Sequence, residues 1–538
     1  MRILIVASLL IASFVATLYE VGNAQVQLSG RVGVLGEGYT VDGISARRVP
    51  LKARGYVNVN FSLFGLKSGF QLMYDTEDSR VRQSMNQLGF STSWAWGKMS
   101  AGDVAPRISR YSLSGAVLRG GFIELTPRFI HLSLAAGRAR RAIEPTTEAR
   151  FAEPVFERWI YSVGIGIGKK EGSHFLLATM LARDARSSLE FSGEARPAEN
   201  VIVTPQVGIA LFQRKFRLSG EVSVSAFTRD MRAEAIALPQ GIPGWVSQIF
   251  QPRISSFVDF AGTGELNIQL KSVGLKGIYE RIGTGYESLG ISQLRNDQEI
   301  LGIEPRIRVW DRKVELALKW RRQRNNLLDQ RTHTLWRKQI GGSLRLRPIR
   351  VFHLNVAYQR LLNETRSDTE VQQGLLNQTL SVNPIFILQT DRTVHTVMLN
   401  GIYQDLSTQV GSGTSFSNLT GMVNYSLSLP SGVAFNLGGN ILQSTSQTVE
   451  TQVLSGMAGG SVPLFKRLMT VGINGSWSQS KSVVAANQET ATQLSGTLQM
   501  SIRMFKRDQL QLLVRGLINK GRQDFRELQS SIRFEHRF

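Results

Sequence analysis

Cysteine is absent from the chain, so neither disulfides nor thiolate-bound metals hold it together. Proline is scarce, 15 residues in 538, and no Pro-rich, Ser/Gly-rich or charge-block linker divides the sequence. A length that would ordinarily suggest several soluble domains therefore reads as one continuous architecture. Past the first two dozen residues there is no apolar run of about eighteen residues, which excludes a transmembrane helix. If the chain enters a membrane, it does so as strands. Acidic residues are few: 41 Asp and Glu stand against 63 Lys and Arg, a formal charge of +22. The cations are dispersed, without the compact basic patch or aromatic-interleaved motif of a nucleic-acid binder. Anionic lipid headgroups, or anions drawn into a lumen, suit them better as partners. Catalytic signatures are missing too. There is no HExxH and no GxSxG, and the six histidines are scattered singly. The stretch "GIGIGKKEG" from Gly164 has the wrong spacing for a phosphate loop and reads as a strand and turn. No catalytic residue, metal ligand or cofactor is assigned, and an enzyme would need a triad assembled from separate strands.

What is present begins with "MRILIVASLLIASFVATLYEVGNAQ". One cation at Arg2, an apolar run from Ile3 to about Leu18 and small residues at Gly22 and Ala24 give the layout of a secretory signal peptide. The expected division is residues 1–24 as a signal cleaved after Ala24, and 25–538 as one exported domain.

From there, short stretches with alternating faces recur to the end, separated by joints of two kinds. Tight ones include Gly65, Gln213, Trp310, Arg347, Thr390, Leu464 and Met504; longer polar ones start at Arg141, about Thr228, Asn325, Asn363 and Ser480. Such alternation is a meander of hairpins with short turns at one end and long loops at the other. Counting against it predicts an all-β, antiparallel up-and-down barrel of about 26 strands, within a range of roughly 22–26. Parity places one of these strands at about Leu376–Leu388. In "RKVELALKWR" Val314, Leu316, Leu318 and Trp320 oppose Lys313, Glu315, Lys319 and Arg321; in "GIEPRIRVW" Ile303, Ile307 and Val309 oppose Glu304, Arg306 and Arg308. Pro305 suggests a bulge or a distorted ladder. An open sheet of so many strands would curl or split, whereas closure with the apolar side toward lipid removes both edges.

The final stretch "SSIRFEHRF" puts Ile532, Phe534, His536 and Phe538 on one face. The exported start, the hairpin meander and this ending together resemble the bacterial outer-membrane β-barrel class over residues 25–538. The resemblance implies a Gram-negative outer membrane with its lipopolysaccharide as the location. It also implies that Ile532, Phe534, His536 and Phe538 are read by the barrel-insertion machinery; His536 departs from the usual apolar choice. Residues Ala101–Leu125 are in addition similar to an early-barrel segment of fimbrial ushers, without the rest of that family's pattern.

Two sets of residues are candidates for function. Glu304, Arg306, Arg308, Lys313, Glu315, Lys319, Arg321, Arg345 and Arg347 are expected to line the lumen, where mixed charges can guide anionic or polar solutes. The long joint from about Thr228 to Ser255 is unusually apolar, and Ile242, Trp245, Ile249 and Phe250 are expected to pack into the mouth as a constriction. Three classes of function remain open: a pore for transport or secretion of polar or anionic solutes or polymers, gated by a loop; a structural barrel with a blocked lumen that docks a periplasmic or surface partner; and a membrane-embedded hydrolase.

Overall fold

The computed structural model describes residues 27–76, 87–144, 154–169, 171–190, 193–237, 249–367, 370–410, 415–484, 487–505 and 507–538. The signal-peptide assignment at residues 1–24 lies outside them. In chain order the strands are β1 (Gln27–Asp42), β2 (Leu51–Leu63), β3 (Leu66–Asp75), β4 (Gln87–Trp94), β5 (Gly97–Val104), β6 (Leu113–Ser114), β7 (Leu118–Leu125), β8 (Ile130–Arg140) and β9 (Arg158–Gly168). They continue with β10 (His174–Asp184), β11 (Glu199–Leu211), β12 (Phe216–Thr228), β13 (Ser256–Gln269), β14 (Val273–Ile282), β15 (Gly290–Ile291), β16 (Gln298–Val309), β17 (Val314–Arg324), β18 (Thr334–Leu346) and β19 (Phe352–Ser367). The last are β20 (Glu370–Gln389), β21 (Val394–Thr408), β22 (Ser415–Ser428), β23 (Ala434–Ser446), β24 (Val449–Leu464), β25 (Met469–Val484), β26 (Asn487–Arg503), β27 (Asp508–Lys520) and β28 (Phe525–Arg537).

All but β6 and β15 belong to one 26-stranded sheet in which each strand pairs antiparallel with the next. The sheet closes where β28 meets β1, with Phe534 opposite Val34 and Ile532 opposite Gly36. At the seam Phe538 and Gly30 exchange backbone hydrogen bonds of 2.9 and 3.1 Å, and the Phe538 ring covers the space a side chain at residue 30 would take. Strands spaced about 4.8 Å apart and tilted about 40° give a wall about 50 Å across.

The two faces are told apart by what covers them. Along β9, Trp159, Tyr161, Val163, Ile165 and Ile167 are exposed while Ile160, Ser162 and Gly164 are buried, because chain from elsewhere packs on that side. The packed side is the interior, and register carries the distinction from strand to strand. On β22 the outward residues are apolar from Leu427 to Leu419 and then turn to Ser417 and Ser415. Nine residues at about 3.3 Å each and a tilt of about 40° cover about 23 Å, the height of an apolar membrane band.

Strand length divides the barrel. Strands β4, β5 and β7 have 8 residues each, whereas β20 has 20 and β26 has 17. The long strands overturn two expected loops. The polar stretch from Asn363 continues β19 to Ser367 and resumes as β20 at Glu370, and the stretch from Ser480 continues β25 to Val484 and resumes as β26 at Asn487. These strand tops stand clear of the apolar band with water on both faces, so their sequence shows no alternation. Pro305 interrupts the ladder to β17 without shifting it, since Ile303 faces Trp320 and Arg306 faces Ala317 in the same register. It is a missing donor, not a bulge.

Candidate functional site

Two joints on the long-loop side turn inward. Residues 105–117, between β5 and β7, and residues 283–297, between β14 and β16, meet where β6 and β15 pair in parallel, Leu113 opposite Gly290 and Ser114 opposite Ile291. Tyr286 donates its hydroxyl to the Tyr111 carbonyl at 2.8 Å and Ser288 donates to the Ser112 carbonyl at 2.7 Å. The Tyr111 and Tyr286 rings meet edge to face at 6.4 Å. Gly290 is required by this approach, since a Cβ there would overlap the Ser112 carbonyl and the Met180 sulfur.

The pair rests on an apolar patch of the inner wall. Leu113 and Leu118 are 0% exposed and pack with Ile160, Met180, Ile202 and Ile282. Fully burying side chains of this size contributes about 1.5–3 kcal/mol each. Hydrogen bonds fix the position: Gln206 donates to the Ile108 carbonyl at 3.1 Å, and Asp259 accepts from the Gly285 amide at 2.7 Å. Arg110 is the charged tie. Its amide donates to Glu221 at 3.0 Å, and its guanidinium reaches Glu280 at 2.7 Å and Glu265 at 3.4 Å, so one residue ties carboxylates of β12, β13 and β14. Glu221 lies between the outward apolar residues Gly220 and Val222, which sets the pair at mid-depth of the membrane band.

Beyond this pair the wall carries the charges singled out from sequence. Glu304, Arg306 and Arg308 on β16, Glu315, Lys319 and Arg321 on β17, and Arg345 on β18 share the interior side, with Arg308 opposite Glu315 and Glu315 opposite Arg345. Glu315 pairs with Arg308 at 3.2 Å and with Arg306 at 3.6 Å. Among the described residues, Lys319, Arg321 and Arg345 form no ion pair. Arg306, Arg308, Lys319, Lys276 and Gln339 border a groove of about 680 Å³. Lys313 and Arg347 sit apart, in the short turns at the foot of the wall, joined by a 2.7 Å backbone hydrogen bond.

The next arc is different. From β19 to β26 the interior side is mostly uncharged, with hydroxyls and amides such as Asn424 on β22, Asn440 on β23, Ser455 on β24, Ser476 on β25 and Thr497 on β26 interspersed with apolar residues such as Ile402, Met422 and Met457. Many are tied in pairs, as Ser455 is to Ser478 at 3.1 Å and Ser476 to Ser495 at 2.7 Å. Among the described residues of these interior faces, Glu370 at the top of β20, and Glu489 and Arg503 at opposite strand ends of β26, are the ionised exceptions. The lumen is thus charged on one arc and neutral on the other.

Of the expected constriction residues, Ile242 and Trp245 lie outside the described residues. Phe250 is buried, and Ile249 is exposed with its carbonyl accepting from Arg183 at the rim of β10 at 3.4 Å. The inward pair itself was not singled out from sequence. Its signal is the mixture in "PRISRYSLSG" and "GTGYESLGIS", where Ile108, Tyr111, Leu113, Tyr286, Leu289 and Ile291 are too apolar for water-exposed joints.

A closed antiparallel meander with an apolar outer band and a polar interior is the architecture of the outer-membrane β-barrel class. No protein-family model matches the chain, and no curated protein matches it. Among solved structures it is similar to Acinetobacter baumannii OccAB3 at 12% identity and TM-score 0.31, covering 68% of this chain and 98% of that one. It is also similar to Pseudomonas aeruginosa OccK9 (OpdG) at 12% identity and TM-score 0.29, over 71% and 98% of the two chains. A structure of Pseudomonas aeruginosa OpdK with vanillate matches at 9% identity and TM-score 0.30, over 64% and 93%.

Proposed function

We propose that this protein is an outer-membrane pore for polar solutes, narrowed by the segments 105–117 and 283–297 and made attractive to anions by the interior face of β16–β18. The observation that carries the reading is the placement of that pair: it is packed on the inner wall of β5–β14, leaving the faces of β16–β28 to line a polar path. A wall about 50 Å across that held nothing would be a leak, so a packed inner pair suits a pore that must discriminate. Three cations without acidic partners raise the local anion concentration, and salt screens the effect over about 8 Å at physiological strength. Export by residues 1–24 and assembly in the outer membrane belong to the same proposal. Recovery in the outer-membrane fraction with heat-modifiable mobility supports them, and a folded periplasmic pool contradicts them.

Planar-bilayer recording tests the pore. The wild type is expected to conduct with a reversal potential shifted toward anions at low salt. In the Arg306→Gln/Arg308→Gln/Arg321→Gln variant the anion-to-cation permeability ratio should fall toward one. Unchanged selectivity removes these residues from the path. No conductance from the wild type, or from a variant freed of the Arg110 tie, favours instead a blocked barrel that docks a partner through its loops.

A further inference from the structure

The outer wall carries a second cationic feature, just beyond the apolar band on the long-loop side. Outward positions there pass from Tyr279, Trp320, Ile340 and Tyr358 to Arg281, Arg322, Lys338 and Arg360 within one step of each strand. Arg322 stands opposite Lys338, and Arg360 opposite Ile340 one position along, so the cations occupy neighbouring sites on β17, β18 and β19. Arg324 and Arg366 complete the group. Against these six cations, the same face of β14–β19 sets the acids Glu299 and Glu364. Glu299 holds Arg324 at 2.8 Å, and Glu364 is shared between Lys338, at 3.0 Å, and Arg366. Among the described residues Arg281, Arg322 and Arg360 form no ion pair; Arg281 stands opposite Glu299 in the register, but that carboxylate is held by Arg324. Trp336 lies under Arg322 and Arg324, with 5.3 and 5.7 Å from guanidinium carbon to ring centroid, which presents these cations without consuming their hydrogen-bond donors.

The opposite flank of the rim is the contrast. There the outward cations Arg119, Arg138 and Arg183 each face an acid, Asp103, Glu157 and Glu199. Unpaired cations gathered on neighbouring strands, where the opposite flank sets an acid against each of Arg119, Arg138 and Arg183, call for an anion from outside the chain.

We infer that the outward face of β14–β19, centred on Arg281, Arg322 and Arg360, is a binding site for the phosphate groups of a lipid in the leaflet on the long-loop side. Position selects a lipid: the apolar surface directly below is exposed to acyl chains, while the guanidinium groups stand at headgroup height with Trp336 and Tyr358 as interfacial rings. Guanidinium forks match phosphate oxygens in pairs. The inference rests on the membrane placement of the barrel and not on the pore reading.

The full barrel, reconstituted in phosphatidylcholine nanodiscs, is titrated with bis-phosphorylated lipid A, and occupancy is read by native mass spectrometry. Arg281→Gln/Arg322→Gln/Arg360→Gln should weaken binding about fivefold per cation removed, and about a hundredfold in all. Lys481→Gln/Lys520→Gln/Arg526→Gln, three outward cations on β25, β27 and β28, should leave it unchanged. An equal loss in both variants means diffuse attraction and overturns the site, as does no loss in the first. Arg281→Lys/Arg322→Lys/Arg360→Lys should retain most of the affinity; if it falls as far as the Gln variant, the arginines support the wall instead of the ligand. Dephosphorylated lipid A should bind no better to wild type than to the Gln variant. Displacement of lipid A by an equal concentration of inorganic phosphate identifies a free-anion site and overturns the lipid.

Discussion

Arg110 shows how much can depend on one side chain in a lumen. Its guanidinium is partly wet, yet the Glu280 carboxylate it meets is nearly enclosed, so losing the cation leaves a buried charge without its partner. Arg110→Gln should loosen residues 105–117 by about 1–3 kcal/mol, the cost of an unsatisfied buried polar group. Hydrogen exchange of the Tyr111 and Leu113 amides then rises while the amides of β9 stay protected; equal protection in both proteins would show that apolar packing alone holds the segment. Gly290→Val tests the other half of the pair, because its side chain has no room beside Ser112 and Met180. It should part β6 from β15 without opening the barrel, seen as altered conductance with unchanged heat-modifiable mobility. Neither role is visible in the sequence. Tyr286 and Tyr111 are 175 residues apart, and no local period links them.

Short turns are the elements under most backbone strain. Trp310, Asp311 and Arg312 have φ of 50°, 52° and 66°, and Phe465, Lys466 and Arg467 have 49°, 54° and 69°, three left-handed residues in succession without a glycine. Each costs about 1 kcal/mol relative to glycine in that region. Lys466→Gly should therefore hold or raise resistance to thermal unfolding, and Lys466→Val should lower it, as followed by gel mobility on heating. At the closing element, Phe538 lies over Gly30 and stacks at 6.0 Å on His536, which bonds Asp508 at 2.6 Å. Removing Phe538 should slow insertion by the barrel-assembly machinery and weaken the seam together. A Gly30→Val chain, whose last strand is intact but whose Phe538 ring has no seat, separates the two effects: normal insertion with a weaker seam assigns Phe538 to recognition.

Across the whole molecule, closure and count were legible because each span inside the membrane must show one face to lipid and the other to water. Ile303 against Arg306, or Leu512 against Gln511, repeats that contrast on strands whose interior face is open, whereas inward Ala178, Met180 and Ala182 of β10 lie under the packed pair and lack it. Above the band the contrast disappears, which is why the stretches from Asn363 and from Ser480 read as loops although their described residues extend β19, β20, β25 and β26. The candidate site was legible as far as parity reaches. Arg306, Arg308, Glu315, Lys319, Arg321 and Arg345 follow from alternation, whereas Lys313 and Arg347 fell just beyond the strand ends, where the turn redirects them. The inner pair needed three dimensions.

The division of the lumen into a charged and a neutral arc has a further consequence for what an electrical measurement would register. In the proposed pore, ions would follow the field of β16–β18, while a neutral hydroxyl-rich molecule would exchange hydrogen bonds along β19–β26 and need not cross that stream. Current and mass flow are then separate quantities in one barrel. A sugar in transit would pass almost unseen by the electrodes, and only an isotope or a refractive-index signal on the far side would count it.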